Sequence, residues 1–194
     1  MSDMKLRYLP YYLLPFLLAA CSSGEPPTQF RPDASIQEVM ASVVDPAADA
    51  VWEAVSSETT AQGIVEHQPR TDAEWLAVRH HAVTLAEAAN LLLIKGRVVS
   101  HTNQLEDAHV PGILSAADVQ KKIDADRKLF AARAQELQAA AREAVAAIDA
   151  KHPQRLLAAG EKIDAACERC HITYWYPNAE QPKWPAPLTA AVKP

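Results

Sequence analysis

The sequence predicts an all-α protein, an antiparallel four-helix bundle, and three observations carry that expectation. Four segments repeat apolar residues at spacings of three and four, the period of a helix with one buried face. Each is bounded by capping residues, a glycine or a proline of the kind that starts or stops a helix. No period-two alternation or internal repeat stands out, and 5 glycines with 49% hydrophobic residues suit an alanine-rich helical core.

Residues 1–20 are expected to lie outside the fold as a lipoprotein signal peptide. Lys5 and Arg7 precede an apolar run from Leu9 to Ala20, shorter than the roughly 20 residues a spanning helix needs, which reads as a secretory signal. It closes on Leu18, Ala19, Ala20 and Cys21, which resembles a lipobox, where bacterial lipoproteins are cleaved before a cysteine that carries the lipid. An ordinary signal with a chance cysteine is the plainer alternative. On the lipobox reading the mature chain begins at an acylated Cys21 on a membrane, and Ser22 after it resembles anchors sorted to the outer membrane. Residues 21–33, holding Ser, Gly, Glu and three prolines, have too little apolar surface to pack and read as a flexible tether.

The first helix is expected after a cap at Asp33 and runs to about Ser57, with Ile36, Met40, Val43, Ala47, Ala50 and Ala54 on one stripe. Pro46 inside it removes an amide and crowds the carbonyl four residues back. A kink over Val43–Pro46 follows, or two shorter helices joined at Asp45-Pro46. Glu58 to Arg70 reads as a loop. Thr71 with Glu74 makes a capping box for a second helix to about Lys95, stopped by Gly96. Its stripe is Trp75, Val78, Ala82, Leu85, Ala89 and Leu92, with His81 flanking it and His80 further round.

From Gly96 to Leu114 the pattern dissolves into a loop carrying His101 and His109, longer than most connections and expected to fold over something. Ser115 caps a third helix whose stripe, from Val119 and Ile123 through Phe130, Ala134, Leu137 and Ala141 to Ile148, lasts to about Ala150. Unbroken, it would be roughly 54 Å long at about 1.5 Å per residue. Either its first turns overhang, or it breaks near Asp124–Asp126. His152 and Pro153 then open the fourth helix, with Leu156, Gly160, Ile163, Cys167, Cys170 and Tyr174 at helical spacing. Gly160 leaves room for close approach or simply loosens the helix. Residues 177–194 form a proline-rich tail.

The fourth helix carries Cys167-Glu168-Arg169-Cys170-His171. Two thiols three residues apart followed by an imidazole are the attachment signature of c-type haem. The thiols add to two vinyl groups of one porphyrin while the imidazole reaches its iron. On a helix these positions share one face, so Cys167 and Cys170 would hold a single haem c and His171 would be its proximal iron ligand. The rival readings are a redox dithiol, which would sit beside a βαβ pattern, half of a zinc site, which would want a second ligand pair, and a disulfide, strained across one helical turn. With Cys21 assigned to lipid, all three cysteines have a role. Haem c attachment and the signal also agree on export, since bacterial c-type haem is attached outside the cytoplasmic membrane.

Residues 34–176 resemble the cytochrome c prime and cytochrome c-556 family, the class II c-type cytochromes, here in a lipoprotein form. The resemblance rests on four amphipathic helices with the Cys-x-x-Cys-His motif close to the C-terminus, and on the aromatic Tyr174 three residues after His171. It implies a bundle with haem on its last helix. It also implies either electron transfer or binding of nitric oxide or carbon monoxide, rather than enzymatic turnover, and it holds open a homodimer through the first two helices. Gas-binding members usually carry Arg or Lys four residues after the histidine, where this chain has Trp175.

The sixth coordination position divides the two functions. Met40, one turn into the first helix, is the candidate sixth ligand, where the low-spin branch of the family places a methionine; a flexible core filler is the alternative. His81 is a weaker candidate. His80, His101, His109 and His152 read as solvated or capping, Trp52, Trp75, Trp175 and Tyr174 as haem-packing or core aromatics, and Arg142 as a surface residue before a propionate partner. The expected function is a lipid-anchored periplasmic cytochrome passing single electrons to redox partners of the periplasm or membrane respiratory chain. The alternative is a five-coordinate gas-binding protein. A formal charge of -5 argues against nucleic acid.

Overall fold

Ser35, rather than Asp33, starts the first helix. Its hydroxyl accepts from the Glu38 amide, and the Glu38 carboxylate accepts from the Ser35 amide at 2.7 Å, a reciprocal cap. The computed structural model describes residues 30–179. Residues 1–20, expected as a signal peptide, Cys21, expected as the lipidation residue, and most of the expected tether and tail lie outside the described residues. The chain is mostly helical with one small two-stranded sheet. No helix among the described residues is long and apolar enough to cross a membrane.

The first helical segment is α1 (Ile36–Val39), a π-helical turn (Met40–Val44) and α2 (Asp45–Glu53). The kink expected near Pro46 is realised as that π turn. Pro46 has no amide to give the Ser42 carbonyl and its ring crowds it, so the preceding turn widens and the Asp45 amide donates five residues back to Met40. The wider turn changes which side chains face inward. Val39 and Val44, five apart, are both buried, followed by Ala47, Ala48 and Val51. The expected stripe is corrected accordingly: Ile36, Met40, Val43, Ala50 and Ala54 are only half-buried.

Two further expectations are corrected. The chain is not purely helical, because residues read as a loop form a hairpin of β1 (Ser56–Thr60) and β2 (Gly63–His67), antiparallel with Thr60 opposite Gly63. β-branched Thr59, Thr60, Ile64 and Val65 favour extended backbone, and the Thr60 hydroxyl braces the turn by donating to the Gly63 carbonyl at 2.9 Å. The hairpin is almost wholly exposed, so no alternation of buried and exposed residues marks it. The second correction is to the first helix, which ends at Glu53 rather than near Ser57.

The second helix, α3 (Asp72–Leu92), begins on its capping box and buries the expected stripe, Val78 being half-buried. The third breaks at Asp126, giving α4 (Ala116–Ala125) and α5 (Arg127–Asp149). Asp126 leaves helical geometry (φ -143, ψ 73), and its carboxylate caps α5 by accepting from the Leu129 amide at 2.8 Å. The residues expected on that stripe are all buried. A short turn with Lys151 left-handed (φ 49) leads into α6 (Pro153–Tyr174), capped by His152.

Helix α5 packs along both α3 and α6, and α2 packs on α3 and α6. Leu85, Ile123, Leu156 and Ile163 are fully buried between them. Gly160 lies against Trp52, whose indole nitrogen donates to the Gly160 carbonyl at 3.1 Å; an added Cβ would stand 3.2 Å from that ring. The loop after Gly96 folds over the start of the first helix, its Val98 and Val99 carbonyls accepting from the Ile36 and Gln37 amides at 2.8 and 3.1 Å. The buried Arg97 guanidinium ties the loop down by donating to the carbonyls of Leu91 and Ala34.

Candidate cofactor site

The last two turns of α6 present Cys167, Cys170 and His171, all half-buried, with both cysteines unpaired. The helix runs through the motif without interruption because Trp175 caps it, its amide donating to the His171 carbonyl at 2.7 Å. Aromatics gather round the imidazole: the rings of Trp175 and Tyr176 lie edge-on to it at 5.1 and 6.0 Å. The Tyr176 hydroxyl donates to the Glu168 carboxylate at 2.5 Å. Burial lowers the pKa of His171, which favours the neutral imidazole that coordinates metal. Burial also pushes the thiols up, Cys167 to about 12 with help from Asp164 and Asp45, and Cys170 to about 11. Both therefore sit as neutral thiols at ordinary pH, unlike an activated thiolate.

Cys170 and His171 open onto a cavity of about 110 Å³, closed on the α6 side by Tyr174 and Trp175. Helices α4 and α5 contribute Val119, Ile123 and Phe130. The first helix contributes Ile36, Met40 and Asp45, and the loop supplies Val99, Leu105 and Glu106. Phe130 and Tyr174 pack edge to face at 5.5 Å. Burial, Asp49 and Glu106 together hold Asp45 above the ordinary carboxyl range.

The structure thus brings Met40 to the cavity that holds Cys170 and His171, while Cys167 lies one turn back on α6 and outside the cavity lining. The other histidines stay away from it. His80, His81 and His109 are exposed, His101 pairs with Glu38 at 3.5 Å, and His152 caps α6. Trp75 is core and Arg142 is exposed. Sequence reading missed Asp45, Glu106 and Arg133. Arg133, one turn from Phe130 on α5, donates to Glu136 at 2.5 Å, and Glu136 also takes Arg169 at 3.0 Å. No motif marks them; the signal available for Arg133 is its position three residues after the core residue Phe130.

These residues fit a covalently held haem. Two thiols sit on successive turns with a neutral imidazole beside the second, a thioether reaches the same cavity from another element, and most of the remaining lining is apolar. Three buried polar atoms, Arg133 Nε, Tyr174 Oη and Trp175 Nε1, find no partner among the described residues. Small-molecule pockets usually span about 300–1,000 Å³, so seating a porphyrin requires a wall to move. The stretch 101–111 of the loop is mostly exposed, tied to Asp33, Glu38 and Gln37 through His101 and Glu106, with Leu105 buried beneath it. No group of three or more His, Cys, Asp or Glu side chains suited to a metal ion occurs among the described residues. An axially ligated porphyrin needs none, because the macrocycle supplies the other donors.

Comparison of the chain with family models, with characterised proteins and with solved structures finds no match.

Proposed function

We propose that this chain is a c-type cytochrome that carries single electrons. The carrying observation is that Met40 and His171, far apart in sequence, line one apolar cavity together with Cys170. Haem c bound there supplies an iron that changes oxidation state by one electron. Cys167 and Cys170 hold the group through thioethers, and His171 offers its neutral imidazole as proximal ligand. Met40 offers a thioether as the sixth, which favours the reduced state and raises the potential. Phe130, Tyr174 and Trp175 exclude water around the site.

The wider reading follows from the same premise. The first helix with its π turn, α3, α5 and α6 are the four members of an antiparallel bundle in the manner of the class II cytochromes, with α4 as an overhang. The short turn between α5 and α6 is the connection antiparallel neighbours use. Residues 1–20 direct export, and Cys21 carries the lipid that anchors the chain in the periplasm, at the outer membrane.

Visible spectra of the ferric and ferrous protein, with and without carbon monoxide, test the reading. The expected spectrum is low-spin and indifferent to carbon monoxide, and Met40→Ala converts it to a high-spin, carbon monoxide-binding form while costing about 1–2 kcal/mol of stability at this half-buried position. A wild-type ferrous protein that is high-spin and takes up carbon monoxide readily overturns the electron carrier in favour of the gas-binding alternative.

A further inference from the structure

A second concavity, a groove of about 440 Å³, runs between α2 and α6 on the outside of the cofactor site. Its floor is apolar, made by Val51, Trp52 and Val55 at the α2 end with Leu156, Leu157 and Gly160 of α6. Leu157 is 50% exposed, an unpartnered apolar side chain in the groove wall. The rim is acidic. Glu161 and Asp164 line the groove, and Asp49 adds a further exposed carboxylate on α2. None of these three carboxylates joins an ion pair among the described residues, whereas Lys162 and Arg169 of α6 are committed to Glu143 and Glu136. Asp164 precedes Cys167 by one helical turn, so the groove leads to the first thiol of the motif.

From this we propose that the α2–α6 groove docks a lysine-rich region of the protein that exchanges electrons with this chain. The inference rests on the electron-transfer reading above and names the partner's chemistry. An apolar floor with an uncompensated acidic rim matches a basic surface carrying an apolar contact. The opposite charges steer encounter, and the small contact lets the partner leave quickly. A second copy of this chain is a poor occupant, because its corresponding face carries the same negative charge and like charges set opposite each other repel. Asp164 puts the partner one helical turn from the first thiol that would hold the group.

Titration of the haem-loaded protein with a synthetic octalysine peptide carrying one central leucine, at low and at high salt, tests the proposal. Binding is expected to weaken by about tenfold or more on raising salt, as exposed charges are screened. Asp164→Lys should weaken it by a similar factor. Glu87→Lys, the same charge change on the exposed face of α3, should change it by less than about twofold. Equal losses in the two variants, or no salt-dependent binding by the wild type, overturn the docking site. A chain purified without covalent haem overturns the electron-transfer reading instead, and the two failures are told apart by the pigment alone.

Discussion

The two sides of the cofactor cavity are built by opposite means. On one side α6 is a regular helix whose spacing alone places Cys167, Cys170 and His171 together, and Ile163 anchors it in the core at 0% exposure. On the other, Met40 and Asp45 are placed by a π turn beside Pro46, and Val99, Leu105 and Glu106 by a loop with no repeating structure. On the proposed function, the attachment chemistry would stand on the periodic wall. The proposed sixth ligand, Met40, would stand on the irregular one, where a change of one residue in a turn re-aims a side chain.

Removing both thiols is the largest blow to the regular wall. Cys167→Ser with Cys170→Ser is expected to abolish covalent pigment, read as haem-dependent staining after denaturing electrophoresis, with far-ultraviolet dichroism reporting whether the helices persist. A pigment that survives denaturation in this variant contradicts the role given to α6. Next in size, Ile163→Ala should cost about 2–5 kcal/mol in urea unfolding, because a fully buried branched side chain leaves a cavity between helices. A cost under about 1 kcal/mol would mean that α6 is not the rigid wall.

The irregular wall should respond differently. Pro46→Ala restores the missing amide and removes the ring that widened the turn, so the Met40–Val44 segment can close as ordinary helix. The expected result is unchanged covalent haem with a spectrum shifted towards high spin, as Met40 is rotated away. An unchanged spectrum would show that the turn does not depend on the proline. The smallest effect is expected outside both walls. Ile64 is 72% exposed on β2, and Ile64→Ser should change stability by no more than about 0.5 kcal/mol and leave the spectrum alone.

The same contrast explains what could be read from the chain. Helix α3, the break at Asp126 and the start of α6 were legible because caps and periodic apolar residues act locally. The grouping of Cys167, Cys170 and His171 at one end of α6 was legible because three residues at fixed spacing on a helix need no tertiary information. The π turn was only half legible: Pro46 announces a disturbance, but the five-residue step from Val39 to Val44 breaks the periodicity on which the expected stripe was drawn. The hairpin escaped because its strands are exposed on both faces and its turn residues, Ala61 and Gln62, are not the usual turn formers. Asp45, Glu106 and Arg133 escaped because a loop and two helices distant in sequence bring them to the site, which no spacing rule encodes.

Covalent attachment is tested most directly by one measurement, the alkaline pyridine spectrum of wild-type protein expressed with haem c maturation machinery and washed in acidified acetone before assay. The predicted result is one haem per chain retained after the wash, with the blue-shifted band of a porphyrin whose two vinyl groups have been saturated by Cys167 and Cys170. A washed polypeptide without pigment, or pigment with the spectrum of unmodified haem, contradicts it.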